Sequence, residues 1–404
     1  MSAPVAGWHQ HPDIHVERGG QGVCAAAGFE AAGVAAGLKA SGSPDVALVR
    51  NLGPTHHAAA VFTTNRVAAA PVQHSRQVLA DHTAHAIVLN SGGANACTGS
   101  GGLSDARDTG HAVASELGVS AETVVVCSTG LIGVRLPMDK LVGGVRQAAA
   151  ELSTAGGPAA AQAIMTTDAR AKQAQVTTEA GWTVGGMAKG AGMLAPGLAT
   201  MLVVLTTDAV VSADDLDQTL QAACRLTFDR LDSDGCMSTN DTVVAMASGA
   251  SEVPASEAEL VDAMVAVCGD LAVQLMSDAE GAEHDISIEV VNATSVEDAL
   301  DVARTISRSN LFKTAVAGND PNWGRVLAAI GTTDADFDPD RLDVSFNSVM
   351  VCRAGGIGEP RESVDLTPRA VHVLVDLHAG DESATILTND LTHGYVTENA
   401  DYSS

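Results

Sequence analysis

The feature that most constrains the fold is an alternation, repeated along 404 residues, of short β-branched runs with helices whose starts are readable. Segments 86–89, 123–127 and 201–205 are apolar and β-branched, and the first two stop at Ser/Gly-rich turns. Segments 285–290 and 371–376 alternate with period two, the pattern of strands buried on one face. Ser212, Ser256 and Ser295 each precede a carboxylate by three residues, an arrangement that satisfies the orphan N–H groups of a first helical turn. After Ser256, the residues Leu260, Met264, Val267, Leu271 and Leu275 recur every three or four positions, one apolar helical face laid on a sheet. The expected class is therefore α/β or α+β, with layered sheets covered by helices. Segment 155–192, rich in Ala, Gly and Thr, is the best place to divide the chain into halves.

Composition narrows the function. A formal charge of −27 repels phosphate backbones and anionic lipid heads, so neither nucleic acid nor a membrane is an expected partner. The seven cysteines include no C-x-x-C pair, which argues against a disulfide framework and against a thiolate zinc site. No secretory signal or membrane-length apolar run is present, so a reduced, cytoplasmic protein is expected. His56 and His57 are adjacent, no H-E-x-x-H occurs, and 232–241 lacks the Gly and the final Glu at the spacing of an EF-hand calcium loop, so no metal is expected. The glycine-rich run from Ser91 to Gly102 lacks the ending of a phosphate loop, although it suits a tight loop carrying backbone N–H groups to a ligand.

The most informative stretch is 189–209, KGAGMLAPGLATMLVVLTTDA. A glycine-rich loop runs into Thr200, which stands at the start of an apolar strand. On spacing alone this is an ordinary loop entering a strand. It is also how a self-processing threonine would be presented, with its Oγ fixed and the Ala199 carbonyl within reach. Attack would give an ester that water opens, leaving Thr200 with a free α-amine. With a reference pKa of about 7.7–8, that amine can act as base for its own hydroxyl.

This stretch resembles the processing site of the ornithine acetyltransferase (glutamate N-acetyltransferase) family of arginine biosynthesis. Further signatures stand in family order: 32–39, 61–66, 94–99, 128–133, 165–168, 238–242, 320–325 and 399–402, so that the resemblance spans essentially the whole chain. It implies an N-terminal-nucleophile-like fold that cuts itself between Ala199 and Thr200 into chains of residues 1–199 and 200–404. Two such pairs would form a heterotetramer. By similarity Thr200 is the nucleophile, Thr129 and Gly130 form the oxyanion hole, and Thr166, Lys189, Thr200, Glu280, Asn399 and Ser404 bind substrate. The implied reaction is ping-pong, from N2-acetylornithine to L-glutamate, without cofactor. In that scheme Lys189 pairs with a substrate α-carboxylate and Glu280 holds the ornithine ammonium.

The sequence departs from the family pattern at Cys236 and Met237, at Glu283-His284, where a cation is usual nearer Glu280, and at Gly394. These bear on substrate contacts rather than on the reaction. Three other functions are consistent with the residues: a bifunctional enzyme that also takes acetyl from acetyl-CoA, an N-terminal-nucleophile aminopeptidase that passes the acyl group to water, and a non-catalytic binding module on the same scaffold.

Overall fold

The computed structural model describes residues 14–193 and 201–401. They fall into a larger unit (14–193, 201–229 and 236–278) and a smaller one (230–235 and 279–401). In the larger unit β1 (Glu17–Arg18), β2 (Phe29–Val34), β3 (Val46–Asn51) and β4 (His57–Phe62) lead into α1 (Ala70–Val78). Then come β5 (Ala86–Asn90), α2 (Gly99–Leu117), β6 (Val124–Ser128), α3 (Met138–Ala150) and α4 (Gly157–Ala163). The unit is completed by β7 (Lys172–Thr177), β8 (Thr183–Lys189), β9 (Leu202–Thr207), α5 (Ala213–Leu226), β10 (Thr242–Ala247) and α6 (Glu257–Met276).

Among the described residues these strands make two sheets. One is β1-β7-β8-β9-β10-β4, antiparallel except for β9 with β10; the other is β2-β3-β5-β6, antiparallel except for β5 with β6. The sheets share a core in which Phe29, Val49, Ile87 and Leu89 of the smaller sheet meet Val204, Val244 and Met246 of the larger, with Ala160 and Ala161 of α4. The smaller sheet's opposite face, through Val46, Leu48, Val88 and Val126, packs on Val113 of α2 and Leu141 and Val145 of α3. Helix α6 lies on β7 and β8, and α5 packs beside it and on β4. The layers therefore run helix, sheet, sheet, helix, and each fully buried Val or Leu contributes about 1.5–3 kcal/mol.

Local signals placed many of these elements. Ser212, Ser256 and Ser295 are all N-caps, and at Ser256 the capping box is complete, with the Glu259 side chain returning to the cap. Helix α6 is buried more widely than one face: Ala263, Cys268, Ala272, Val273 and Met276 are buried along with the predicted stripe. Segment 155–192 does not divide the units. It forms α4 and the β7–β8 hairpin, paired from Lys172 with Ala188 to Thr177 with Thr183 inside the larger sheet. Its small residues serve close packing between layers rather than a linker.

The smaller unit contains β11 (Asp285–Ala293), α7 (Val296–Ser307), α8 (Asn310–Ala317), α9 (Trp323–Ile330), β12 (Asp343–Phe346), β13 (Val349–Arg353), β14 (Gly356–Ile357), β15 (Ala370–Asp376), β16 (Glu382–Asn389) and α10 (His393–Asp401). Its described strands form one sheet, β14-β13-β12-β15-β11-β16. The period-two residues Ile286, Ile288 and Val290 of β11 and Val371, Val373 and Val375 of β15 pack on α7, α8 and α9 through Val302, Ile306, Phe312 and Val326.

No described helix is long and apolar enough to cross a membrane. None of the seven cysteines is joined in a disulfide; Cys97 and Cys236 are exposed and the other five are buried. Among the described residues no group of three His, Cys, Asp or Glu side chains is placed to hold a metal ion. His56 is stacked on His85 with ring centroids 3.8 Å apart.

Candidate active site

In the larger unit the parallel strands β5 and β6 end side by side, and the loops that follow are stitched together. The Thr129 N–H donates to the Asn90 carbonyl (2.9 Å), and the Gly93 N–H donates to the Thr129 carbonyl (3.0 Å). The Ser128 hydroxyl donates to Asn90 Oδ1 at 2.5 Å. Gly130 holds φ +124°, and a Cβ there would come within 2.8 Å of the Gly93 nitrogen. Only glycine lets the chain turn here while the two loops stay in contact. The loop anticipated at 91–102 is confined to the residues before Gly99, where α2 begins.

Lys189 closes β8 and reaches the same place. It is 1% exposed, so it is no surface charge, and its Nζ donates to Thr129 Oγ1 at 3.3 Å. A hydroxyl that accepts from an ammonium keeps its own proton for a further acceptor. The Gly190 N–H donates to Asp168 Oδ1 (2.7 Å), and the Thr166 N–H donates to Asp168 Oδ2 (2.9 Å). Asp168 thus ties the turn that carries Thr166 to the end of β8. Lys172 Nζ lies 2.6 Å from both Asp168 and Asp278. Burial pushes the Asp168 carboxyl up, but the Lys189 and Lys172 ammonium groups outweigh it and hold the pKa at about 2.

The strand that follows Thr200 lies between these groups. Leu202 pairs with Lys189 on one side and with Thr242 on the other. The Met201 N–H donates to Asp241 Oδ1 at 3.0 Å, while Asp241 Oδ2 has no hydrogen-bond partner among the described residues and the residue is fully buried. Burial pushes the Asp241 carboxyl well above the usual carboxylate range, against the opposing pull of the Met201 N–H and Lys189. Asn240 donates through Nδ2 to the Ala94 carbonyl (2.6 Å) and the Ser128 carbonyl (2.8 Å), locking both loops. Asn240 and Asp241 were not among the expected site residues. The signal was present in the 238–242 signature, but a carboxylate in a polar loop ordinarily reads as solvated.

In the smaller unit Glu280 lines a cavity of about 240 Å³ with Asp234, Arg308, Asn310, Lys313 and Tyr395. Gly281 (φ +61°) lets α10 approach, since a Cβ there would collide with the Tyr395 backbone nitrogen. Asn399, one turn beyond Tyr395, is exposed, and its amide donates back to the Tyr395 carbonyl (3.0 Å). The Glu283-His284 departure has a structural use. His284 is buried, with Nδ1 2.7 Å from Asp390 Oδ2 and Nε2 2.9 Å from the Leu366 carbonyl.

The structure thus brings Thr129, Gly130, Lys189 and Thr166 together, and it places Glu280 and the helix of Asn399 beside one cavity. Ala199, Thr200 and Ser404 lie outside the described residues.

A model of the ArgJ family matches residues 30–404. The arginine biosynthesis bifunctional protein ArgJ of Streptomyces coelicolor is 61% identical over 382 residues, covering 95% of this chain and 100% of that protein. The Mycobacterium leprae protein of the same name is 55% identical over 392 residues, covering 95% of this chain and 96% of that protein. Among solved structures, an ornithine acetyltransferase complexed with ornithine from Mycobacterium tuberculosis is 52% identical, covering 46% of this chain and 100% of that chain, with a TM-score of 0.44.

Proposed function

Because this chain belongs to the ArgJ family, we propose that it is an acetyltransferase of arginine biosynthesis, moving the acetyl group of N2-acetylornithine to L-glutamate through Thr200. The observation that carries this reading is the convergence of Thr129, Gly130, Lys189 and Asp241 on the strand that follows Thr200.

The first step is self-cleavage. Thr200 Oγ attacks the Ala199 carbonyl, and water opens the resulting ester to free the Thr200 amine. A cut there leaves residues 1–199 and 200–404 joined by the ladder between β8 and β9, so the fragments stay together. Two such pairs form the heterotetramer, which works in the cytoplasm.

In turnover Thr200 Oγ adds to the N-acetyl carbonyl while its own amine takes the hydroxyl proton. The oxyanion is met by the Thr129 hydroxyl and the Gly130 N–H, with the Lys189 ammonium behind Thr129. The amide C–N bond breaks, the proton passes to the leaving nitrogen, and ornithine departs. The amine of glutamate then attacks the acetyl ester, and Thr200 is regenerated. Lys189 and Thr166 receive the substrate α-carboxylate end, and Glu280, Asn399 and Ser404 complete the substrate contacts. No cofactor is invoked.

Intact mass and N-terminal sequencing test the first step. Two fragments are expected, one beginning Thr-Met-Leu-Val, whereas Thr200→Ala remains whole and inactive. A single uncut chain, or a processed Thr200→Ala, removes the mechanism. Continuing ornithine release from N2-acetylornithine that requires glutamate, with at most one equivalent per site in its absence, marks transfer; sustained turnover without glutamate marks a hydrolase. The name bifunctional borne by the relatives favours a second activity, glutamate acetylation from acetyl-CoA, which an assay with acetyl-CoA as sole donor decides.

A further inference from the structure

The motif 32–39 has no part in the chemistry described so far, yet the fold of the larger unit carries its last residue, Lys39, to the Thr166 turn. β2 ends at Val34, and the turn that follows is clasped by one carboxylate. Asp45 is fully buried and accepts from the N–H groups of Ala36 (2.7 Å), Leu38 (2.6 Å) and Lys39 (3.0 Å). The turn rests on the loop after β5, since a Cβ at Gly92 would collide with Leu38 Cβ. With its main chain fixed in this way, Lys39 is aimed rather than loose.

The Lys39 Nζ donates to the Pro44 carbonyl (2.8 Å) and, 126 residues along the chain, to the Met165 carbonyl (2.6 Å). The Met165 carbonyl and the Thr166 N–H belong to one peptide group, and that N–H donates to Asp168 Oδ2 at 2.9 Å. The peptide is therefore gripped at its oxygen by an ammonium and at its nitrogen by a carboxylate, both bonds of the stronger, charge-assisted kind. An ammonium has three N–H donors, so one remains on Lys39 among the described residues, and the side chain is partly exposed and open to an incoming group. Burial lowers the Lys39 pKa from 10.5 and the Lys189 ammonium lowers it further, against the pull of Asp45 and Asp168. Two ammonium groups that repel one another favour an anion, because a carboxylate bound beside both relieves the repulsion.

We propose that Lys39 is a further substrate-binding residue, which pins the Thr166 peptide and gives its remaining N–H to the substrate α-carboxylate alongside Lys189. The proposal rests on the acetyl-transfer reading above, in which Lys189 and Thr166 receive that carboxylate, and it gives the 32–39 motif a use.

The test asks whether Lys39 senses the carboxylate itself. Lys39→Met keeps the stem and removes the ammonium. In the processed variant KM for N2-acetylornithine and KM for glutamate are each expected to rise about 10- to 100-fold, the range of a charge-assisted hydrogen bond, because both substrates carry an α-carboxylate. Ornithine and 1,4-diaminobutane, which is ornithine without its carboxylate, are then compared as inhibitors competing with N2-acetylornithine. Ornithine should inhibit Lys39→Met about 10- to 100-fold more weakly than it inhibits the parent, and the diamine less than about threefold more weakly. A merely structural role would weaken both alike. Should Lys39→Met fail to process, Lys39→Gln carries the same comparison, since its amide can still donate to the Met165 carbonyl while the charge is gone. Equal weakening of the two inhibitors, or none, overturns the proposal. If the parent enzyme transfers no acetyl group from N2-acetylornithine, the acetyl-transfer reading and this proposal fall together; if it transfers normally and ornithine keeps its advantage over the diamine in the variant, this proposal alone falls.

Discussion

Replacing Lys172 by Met tests whether the buried charge cluster behind Lys189 is what holds the site in register. Lys172 is fully buried at the start of β7, with its ammonium 2.6 Å from Asp168 and 2.6 Å from Asp278, side chains that are 0% and 6% exposed. Methionine keeps most of the stem and removes the shared cation, so two carboxylates are left in a place water does not reach. Removing one partner of a buried pair costs about 3–5 kcal/mol. Asp168 retains Lys189 and two backbone donors, which places the expectation near the lower end, at about 3 kcal/mol. For a unit of this size that lowers Tm by roughly 6–12 °C, read by calorimetry or by urea unfolding.

The pH dependence makes the test sharper. Asp168 has its pKa depressed from 3.8 to about 2, so its contribution is present above the unfolded value and is lost as pH falls through the folded one. Without Lys172 much of that depression goes. The deficit of the variant should therefore be complete above about pH 5 and shrink as the pH falls from 4 towards 2. Because Asp168 also accepts from the Gly190 N–H, Lys189 loses its fixed position and kcat falls with stability. A loss below about 1 kcal/mol at pH 7, or a deficit that stays constant down to pH 3, would refute the argument that these carboxylates depend on the lysine.

Two further substitutions probe the site directly. Thr129→Val keeps the shape of the side chain and removes the hydroxyl that accepts from Lys189; kcat should fall about 10²- to 10³-fold with KM nearly unchanged, and initial rates showing less than a tenfold loss would remove Thr129 from the oxyanion hole. Asp241→Asn tests the raised carboxyl. A raised folded pKa stabilises fully below the unfolded value of 3.8 and that stability is lost as pH rises, so urea midpoints should move in favour of Asn over parent between pH 4.5 and 7.5, and a constant difference would mean that Asp241 is not held protonated.

What the sequence discloses here is what is encoded within a few residues. The caps at Ser212, Ser256 and Ser295 need only a hydroxyl and the N–H three positions on, and β5, β6, β9, β11 and β15 are β-branched or period-two runs that show themselves. The β7–β8 hairpin was missed for the opposite reason. Its residues, KQAQVT and TVGGMAK, carry a weak strand signal, and they are strands because β9 pairs with β8 and α6 covers them both. The same divide runs through the site. The family resemblance supplied Thr129 and Lys189 as separate positions, but no local pattern says that a lysine 60 residues away will donate to that hydroxyl.

Charge is the least legible property of all. Asp168 and Lys172 stand four apart, which on its own suggests a weak pair on the surface of a helix. What makes the pair matter is burial at the head of a strand and a third member, Asp278, 106 residues on. Near Glu280 the sequence showed His284 where a cation was wanted, and His284 proves to be turned to Asp390. The cations that line that cavity are instead Lys313 and Arg308, the latter held by Asp232, a residue that in sequence belongs to a discarded metal-loop pattern. Opposite charges brought together by a fold cannot be recognised from their spacing, because the spacing records only how far the chain travelled between them. The sign of a pocket is therefore a tertiary property even when each residue lining it has been seen.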